Sequence, residues 1–427
     1  MPTRIPVRHG LTAEPPADIA FLYGRLPMDV LESATRDAAR LGAEPHEILL
    51  SRGDIGVVDY YAVLAASLGA RFSPFVPIHT PVDPLAGRDP STAARIGMLK
   101  VAGESGIEIA AAPRGRKVAA FVEALRDRRA AGRRVFVAPP QALTDAIVAC
   151  GRETLLAKSL NGLGRLSGEL SAGTRAPRWQ AALLIGTASI AVVAGIASPD
   201  AAMLVVTALL ALFFLGAIGL RLLAAVLAFG PDRGADTEPL PDADLPVYTV
   251  LVPLYREANQ VGGLLEALGR LDYPPHKLDI KLIAEADDTE TLAALRRHVR
   301  SARFEIVVVP DAPPKTKPKA LCFALAFARG SLVTIYDAED LPEPGQLRLA
   351  AARLAALPSD VVCLQARLAW YNWPESWFTR QLALEYASLF DVFLPALARL
   401  GLPLPLGGTS NHFSGLMYQT QKHWVRV

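Results

Sequence analysis

The sequence predicts an α/β protein whose C-terminal part is built on a mostly parallel sheet, preceded by a two-helix transmembrane hairpin and a small N-terminal domain. Three observations support this fold class. Strand-like and helix-like hydrophobic patterns alternate from Val247 onward. Two apolar runs of membrane-spanning length come before that point. Residues 20 to 160 form a separate region with the apolar spacing of amphipathic helices. A chain of 427 residues has room for two or three domains.

The N-terminal region begins with residues 1 to 19, which we expect to be disordered. Residues 20 to 160 are expected to form a small α/β or α-rich soluble domain, because apolar residues such as Leu26, Val30 and Leu31 recur at helical spacing. No apolar segment follows the first ten residues closely enough to make a signal peptide. We therefore expect this domain to stay in the cytoplasm.

Two stretches of the N-terminal domain resemble the N-terminal domain of type II secretion and pilus-assembly ATPases. They run from Leu41 to Phe72 and from Val135 to Gly151. The resemblance implies a docking or regulatory domain with a protein partner. Some members of that family bind cyclic di-GMP through a motif beginning Arg-Leu-Gly, and Arg40-Leu41-Gly42 matches this beginning, although the distance to Gly53 is longer than in the family. A cyclic di-GMP site and a plain docking domain both stay open.

The middle of the chain carries two apolar runs, Ala181 to Ser198 and Ala201 to Phe229, separated by Pro199-Asp200. A bilayer core about 30 Å thick needs roughly 20 helical residues, so each run is long enough to span it. The sequence therefore predicts a transmembrane hairpin over residues 181 to 229. A buried helical pair in a soluble protein is the alternative.

Basic residues indicate how this hairpin is oriented. Arg175 and Arg178 precede the first run, Arg221 and Arg233 lie near the end of the second, and the turn between the runs has no Lys or Arg. By the positive-inside rule, both flanks are expected in the cytoplasm, and Arg221 is expected to reach the interface with its long side chain. This predicts a multi-pass protein of the inner (cytoplasmic) membrane with both soluble domains cytoplasmic. Residues 231 to 246, rich in Pro and Asp, are expected to form a linker.

Composition limits the remaining choices. The 44 basic and 42 acidic residues give a formal net charge of +2, so the chain lacks the basic footprint of nucleic-acid-binding proteins and no nucleic-acid partner is expected. The cysteines Cys150, Cys322 and Cys363 are odd in number and scattered, which excludes a disulfide framework and a cysteine metal cluster and indicates a reducing compartment.

The region from Val247 alternates predicted strands and helices. The strands are YTVLVPLY (248 to 255), DIKLIAE (279 to 285), FEIVVVP (304 to 310) and SLVTIYD (331 to 337), and the helices cover about 260 to 269, 289 to 300 and 320 to 328. Such alternation is typical of a mostly parallel sheet with helices on its faces. Ligands of such sheets bind beyond the carboxyl ends of the strands.

Charged residues gather at four of these strand ends. They are Tyr255, Arg256 and Glu257 at the first, Glu285, Asp287 and Asp288 at the second, Lys315, Lys317 and Lys319 in the loop after the third, and Asp337, Glu339 and Asp340 at the fourth. Converging carboxylates repel one another unless a cation compensates them. Mg²⁺ or Mn²⁺ bound to a diphosphate would do so, and the lysines would add positive charge for the phosphates. Tyr255 offers a ring face for a nucleotide base.

Residues 245 to 415 resemble the family 2 glycosyltransferases, the group that includes cellulose, chitin and hyaluronan synthases. Pro253 to Glu257 is similar to the family's nucleotide-binding strand end, and Asp287-Asp288 to its uracil-contacting acidic pair, with Glu285 and Asp287 both open for that role. KPKALCFAL from Lys317 is similar to the family's KPxALN segment, with Cys322 where Asn is common. Asp337-Ala338-Glu339 is similar to the metal-binding DxD, with Glu as the second acid.

The resemblance implies a Rossmann-like GT-A domain over residues 247 to 427. It implies an inverting, membrane-bound transferase that uses a nucleotide-diphosphate sugar, most simply a UDP-sugar, on a sugar or lipid-linked acceptor in polysaccharide or glycoconjugate synthesis. The donor-binding residues that it implies are Tyr255, Glu257, Glu285, Asp287, Asp288, Lys317 and Lys319. Asp337 and Glu339 are the implied ligands of Mg²⁺ or Mn²⁺.

The C-terminal part departs from that family. Gln365 to Asn372 and Gly407 to Phe413 are similar to its acceptor-side strand and to the loop before its catalytic acid, and the helical stretch between them is expected to lie on the membrane or to be buried. The family's Thr-Glu-Asp base and Gln-x-x-Arg-Trp motif are not found in the sequence, so no catalytic residue is assigned and a truncated domain is expected. The alternative is a non-catalytic membrane scaffold that binds nucleotide and docks a secretion or export partner.

Overall fold

The computed structural model of the chain describes residues 15–76, 89–103, 106–126, 134–166, 177–229, 237–299 and 301–414. The chain divides into two units. One combines Met1–Leu160 with Pro239–Ala352, and the other combines Asn161–Glu238 with Arg353–Val427. Most of the segment expected to be disordered, part of the expected linker and the C-terminal residues after 414 lie outside the described residues.

The N-terminal region is a mixed α/β structure. Its elements are α1 (Met28–Leu41), α2 (Pro45–Arg52), α3 (Val57–Ser67), β1 (Arg71–Phe72), α4 (Pro90–Ile96), β2 (Met98–Gly103), β3 (Gly106–Ala111), α5 (Lys117–Arg126), β4 (Val135–Val137) and α6 (Pro140–Leu166). The strands form a sheet in the order β1-β4-β3-β2, parallel except for the β2–β3 pair. Of the two sequence-based alternatives, α/β and α-rich, the structure has the first.

The helices of this region share one hydrophobic core. Leu31, Leu49, Tyr60 and Leu64 are fully or almost fully buried in one cluster. Helix α1 ends at Leu41, and the next residue, Gly42, has a left-handed φ of 64°, which glycine adopts without strain. The apolar periodicity of the sequence therefore corresponds to one packed core.

Two consecutive apolar helices follow in the second unit, α7 (Arg178–Ala197) and α8 (Pro199–Ala228). Their boundaries agree with the predicted apolar runs to within a few residues. Most of their large apolar residues are exposed. Leu184 and Phe213, for example, each have a relative solvent exposure of 70%. Within the described chain, no core covers most of the surface of these two helices.

The predicted alternation of strands and helices after Val247 is confirmed. The elements are β5 (Tyr248–Leu254), α9 (Val261–Gly269), β6 (Leu278–Glu285), α10 (Thr289–His298), β7 (Phe304–Val309), α11 (Lys317–Ala324), β8 (Leu332–Ile335) and α12 (Gln346–Ala356). Within the first unit the strands lie in the order β7-β6-β5-β8, and every pairing among them is parallel.

The helix predicted over residues 320 to 328 differs from the one observed. It begins at Lys317, because Pro318 in its first turn has no N–H to lose and a φ suited to a helix start. It ends at Ala324 and continues as a short 3₁₀ turn, Leu325–Phe327. Gly330 follows, where a Cβ would lie 2.5 Å from the backbone nitrogen of Thr249, so only glycine lets the chain pass this close to β5.

Strand β6 is buried along its whole length, although it carries charged residues. Asp279 and Lys281 lie on one face of the strand because residues two apart share a face. The Lys281 ammonium is 3.0 Å from Asp279 and 2.6 Å from Glu305 of β7. Arg329 donates to Asp279 at 2.8 Å, and Arg114 of the N-terminal region donates to Glu305 at 2.9 Å. The two carboxylates and their cations thus form a buried charge network.

The second unit ends with β9 (Cys363–Gln365), α13 (Trp377–Ala387), a π-helical turn (Ser388–Phe393), α14 (Leu394–Arg399) and β10 (Asn411–Ser414). Strands β9 and β10 pair antiparallel. Phe390, Leu394 and Leu397 form a small core against which Leu220 of α8 packs.

Three helical stretches of the described chain are long and apolar enough to cross a membrane. They are Arg178–Ala197, Pro199–Ala228 and Trp377–Arg399. The third corresponds to the stretch expected to be interfacial or buried, and about a fifth of its most apolar part is buried.

Candidate functional site

The candidate site lies in the first unit, at the carboxyl ends of β5, β6, β7 and β8. Because these strands are parallel and adjacent, their carboxyl ends share one edge of the sheet. The charged residues that the sequence predicts for the site follow these four ends. Hydrogen bonds and ion pairs join the four segments to one another. The predicted juxtaposition is therefore present.

The segment after β5 is held in an unusual backbone conformation. Arg256 has a φ of 61°, which a residue with a Cβ adopts only at a cost. The conformation is held from both sides, since the Arg256 N–H donates to the Asp288 carboxylate and the Glu257 N–H donates to the Thr291 hydroxyl at 3.1 Å. Tyr255 is 38% exposed as a residue, and the Arg256 guanidinium lies over its ring, 5.2 Å from the centroid. One aromatic face is thereby fixed at the edge of the sheet.

The Asp288 carboxylate accepts backbone N–H groups from two segments. Its side chain accepts from Thr291 N at 3.2 Å, which caps α10, and it also accepts the Arg256 N–H. Only 7% of the residue is exposed. Sequence reasoning assigned Asp288 to a ligand and missed its capping role, although an Asp directly before a helical pattern is the usual signal of a helix N-cap.

Glu285 and Lys319 form a buried ion pair. Their side chains are 5% and 1% exposed, and the shortest distance from the Lys319 ammonium to the carboxylate is 2.9 Å. Lys319 also donates to the Ala312 carbonyl at 2.7 Å. Burial raises the pKa of Glu285, and the hydrogen bond and charge of Lys319 oppose this shift. The pair therefore joins the end of β6 to α11 from inside the fold.

Asp287 lies at the surface, in contrast to Glu285. Its carboxylate is 2.5 Å from the Lys315 ammonium, which is also 3.0 Å from Asp311. The hydrogen bond from Lys315 holds the pKa of Asp287 below its ordinary value, and the same bond raises the pKa of Lys315. Of the two acids left open by the sequence, only Asp287 presents its carboxylate at the surface.

The acidic side of the site combines Glu257, Asp337 and Glu339. Burial raises the pKa of Glu257, and the negative charges of Glu339, Asp337 and Asp288 add to the shift. Asp337 is in contact with Lys317, and its N–H donates to the Asp340 carboxylate at 2.8 Å, which closes a tight turn after β8. The carboxylates are thus close enough to influence one another.

These carboxylates fit a divalent cation by their chemistry. Asp337 and Glu339 offer hard oxygen donors of the kind that Mg²⁺ and Mn²⁺ prefer, and the repulsion felt by Glu257 is what a cation would relieve. In the part of the chain that the structure describes, no group of three or more His, Cys, Asp or Glu residues could hold a metal. A cation here would need further oxygen ligands from phosphate or water.

Comparison with protein families identifies one match. The family model described as "Glycosyltransferase like family 2" matches residues 246–408, which contain the four strand ends. A comparison with curated proteins finds no match.

Several solved structures are similar to parts of this chain. The mannosyltransferase PcManGT from Pyrobaculum calidifontis, in complex with GDP-Man and Mn²⁺, is 25% identical over 47% of this chain and 54% of its own, with a TM-score of 0.36. TarS from S. aureus with UDP-GlcNAc is 21% identical over 29% and 35%, with a TM-score of 0.26. Mannosyl-3-phosphoglycerate synthase from Rubrobacter xylanophilus is 20% identical over 40% and 55%, with a TM-score of 0.28. This chain spans about half or less of the length of these structures.

Proposed function

We propose, from the premise that residues 246–408 are a glycosyltransferase domain of the family 2 type, that this chain transfers a sugar from a nucleotide-diphosphate sugar to an acceptor hydroxyl with inversion. The observation that carries the proposal is the convergence of an exposed aromatic ring, surface lysines and an acidic cluster at one edge of a parallel sheet. A base, a diphosphate and a metal ion need these three kinds of partner.

Tyr255 and Asp287 are the residues that we assign to the nucleotide base. The exposed Tyr255 ring can stack on the base, and the surface carboxylate of Asp287 can accept hydrogen bonds from a base N–H such as that of uracil. This supports a UDP-sugar as donor. We assign Glu285 and Asp288 to supporting the segments that carry these residues, because one is paired with Lys319 and the other caps α10.

Lys315 and Lys317 are the residues that we assign to the diphosphate. Both ammonium groups lie beside acidic residues of the site, Asp287 and Asp337 respectively, so anionic phosphates would find cations at both positions. Asp337 and Glu339 would hold Mg²⁺ or Mn²⁺, with Glu257 nearby. When bound, that ion supplies positive charge for the departing nucleoside diphosphate.

Inversion follows from a single in-line displacement at the anomeric carbon. The acceptor hydroxyl must lose its proton to a base as it attacks, and we assign that base to none of the described residues. The residues of this edge hold the donor and stabilise its leaving group.

The membrane is the proposed location of the reaction. We propose that α7 and α8 form a hairpin in the inner (cytoplasmic) membrane with both soluble parts in the cytoplasm, and that Trp377–Arg399 also contacts the bilayer. Exposed aromatic residues at the start of α13, 71% of Trp377 and 63% of Phe378, support an interfacial position. This favours a sugar or lipid-linked acceptor and a role in polysaccharide or glycoconjugate synthesis.

We also propose that residues 20 to 160 serve as a docking or regulatory region and residues 247 to 427 as the transferase part, with the first of these sharing a compact unit with Pro239–Ala352. The candidates for its ligand remain a protein partner and cyclic di-GMP. Within the Arg40-Leu41-Gly42 motif, Arg40 is exposed and its guanidinium lies 3.3 Å from Asp37.

The test is sugar transfer by the purified membrane protein with UDP-sugars and Mn²⁺. The Asp337→Asn variant should lose metal-dependent turnover by roughly 100-fold or more, because one of two carboxylate ligands loses its charge. Glu343→Gln, an exposed acid six residues further on, should keep wild-type turnover.

Two outcomes would contradict the proposal. No UDP or GDP binding by the wild-type protein would remove the donor site altogether. Nucleotide binding without hydrolysis or transfer, also in a chain extended through any downstream coding sequence, would favour the scaffold alternative.

A further inference from the structure

Helix α6 of the N-terminal region contacts β7, the outer strand in the order β7-β6-β5-β8. An outer strand has backbone groups that no neighbouring strand pairs. Here the carboxamide of Gln141 accepts from Ile306 N at 2.9 Å and donates to Ile306 O at 2.7 Å. One side chain therefore satisfies both outward backbone groups of this strand residue, as a neighbouring strand would.

A second contact joins the same helix to the buried charge network. The Thr144 hydroxyl donates to Glu305, which also receives Arg114 at 2.9 Å and Lys281 at 2.6 Å. Thr144 and Glu305 are 5% and 6% exposed. Two contacts therefore hold the helix beside the strand: the buried hydrogen bond from Thr144 and the hydrogen bonds of Gln141 to the strand backbone.

A third contact lies further along α6, where the Arg152 guanidinium donates to the Asp311 carbonyl at 3.2 Å. Residues 141, 144 and 152 share one face of the helix, because 3 and 11 residues are close to whole numbers of turns. Eleven helical residues rise about 16 Å, and the chain from Ile306 to Asp311, which is a strand as far as Val309, spans at most about the same length. The helix can therefore follow the strand from its middle to the loop beyond it.

That loop leads into the candidate donor site. Asp311 is 3.0 Å from Lys315, Lys315 is 2.5 Å from Asp287, and the Ala312 carbonyl accepts from the buried Lys319. Arg152 thus donates to Asp311, which contacts Lys315, and Lys315 in turn contacts Asp287.

We propose that the N-terminal region positions the lysine-bearing loop, residues 311 to 319, through α6, with Gln141 and Arg152 as positioning residues. The consequence for donor binding rests on the proposed function. The effect on the loop itself does not, because the contacts that carry it join protein groups only.

The experiment compares Arg152→Ala with Arg152→Lys in the full-length protein, with Glu153→Ala, an exposed residue of the same helix, as the matched control. Two quantities are measured: amide hydrogen exchange of residues 311 to 319 without nucleotide, and UDP affinity in the presence of Mn²⁺. Arg152→Ala should speed exchange in the loop and weaken UDP binding about 3- to 10-fold, the loss expected for one hydrogen bond. Turnover at saturating donor should change little, and Arg152→Lys should recover most of the loss.

Unchanged loop exchange in Arg152→Ala would overturn the proposal. So would faster exchange spread over β5, β6 and β7 with a lower melting temperature, because that result indicates a general loss of stability. If the wild-type protein binds no UDP or GDP while loop exchange responds to Arg152→Ala, the proposed function fails and the positioning of the loop stands.

A second variant tests the contact at the strand. Gln141→Leu has a similar volume but lacks both hydrogen-bonding groups, so the Ile306 amide should become the most strongly deprotected amide of β7. Retained protection of that amide would contradict the role of Gln141.

Discussion

Glu305 illustrates how individual residues hold this fold together. It is buried between Lys281, Arg114 and Thr144, and although burial alone would raise its pKa, Arg114 and Lys281 hold the pKa well below the ordinary value. Asp279 is balanced in the same way, since Arg329 and Lys281 lower a pKa that burial would raise. A buried carboxylate of this kind adds stability only while it is ionised.

The Glu305→Gln variant should be less stable than the wild type at neutral pH by about 2 kcal/mol, because charged partners lose a charged acceptor. The folded-state pKa of Glu305 is depressed, so its contribution is present above the unfolded pKa of about 4 and is lost as pH falls through the folded pKa. The difference in melting temperature should therefore shrink below about pH 4.

Glu266→Gln is the control for this titration, since Glu266 pairs with Arg270 on the surface and both side chains are about two-thirds exposed. It should change the melting temperature little at any pH. A difference for Glu305→Gln that stays constant from neutral pH into acid would contradict the linkage.

At the scale of elements, α10 and the β5 end depend on the same side chain. Asp288 caps α10 and also accepts the Arg256 N–H, so it couples a helix start to the left-handed residue beside Tyr255. Asp288→Ala should cost about 1 kcal/mol of stability from the lost cap and should also weaken UDP binding. Asp288→Asn keeps an acceptor and should retain most of both.

The matched control is Ser376→Ala, which removes the side-chain cap from α13. It should lower stability by a similar amount and leave UDP affinity unchanged. Equal effects of the two alanine variants on nucleotide binding, measured by calorimetry, would show that Asp288 acts only as a cap.

The sequence predicts most strands and helices of the transferase region, but it does not predict the contacts between them. Hydrophobic period and length locate the strands and helices between 248 and 337, because those patterns reflect burial on one or two faces. The positive φ of Arg256 and the burial of Glu285 by Lys319 depend on contacts between residues 32 to 34 positions apart. No local pattern encodes such contacts. The chemical types of the site residues could be predicted, whereas their division into exposed and supporting groups could not.

At the scale of the whole molecule, the N-terminal region and the sheet belong to one unit. The sequence suggests separate domains because two apolar helices stand between them, and the contacts that unite them, such as Gln141 with Ile306, join residues 165 positions apart. Sequence spacing of this size carries no signal of contact. The unit Met1–Leu160 with Pro239–Ala352 is a result that only the structure provides.

A chain that begins at residue 237 should therefore fold poorly, because β7 loses its cover and Glu305 loses Arg114 and Thr144. We expect a broad, weakly cooperative thermal transition by circular dichroism, and a sharper one when residues 1 to 166 are supplied as a separate polypeptide. Removal of residues 1 to 14 alone is the control and should leave the transition unchanged. A cooperative transition of the shortened chain at the wild-type temperature would contradict this prediction.

The divided first unit also has a consequence for biosynthesis. Gln141 leaves the ribosome 165 residues before Ile306, and at 5 to 20 residues per second that delay is about 10 to 30 s. Both long apolar helices, α7 and α8, are synthesised within this interval. The surface of α6 that later meets β7 is therefore exposed while the apolar helices emerge. Chaperones, and on the proposed membrane location also the insertion machinery, thus have a defined period in which to act on the nascent chain, before the sheet is complete.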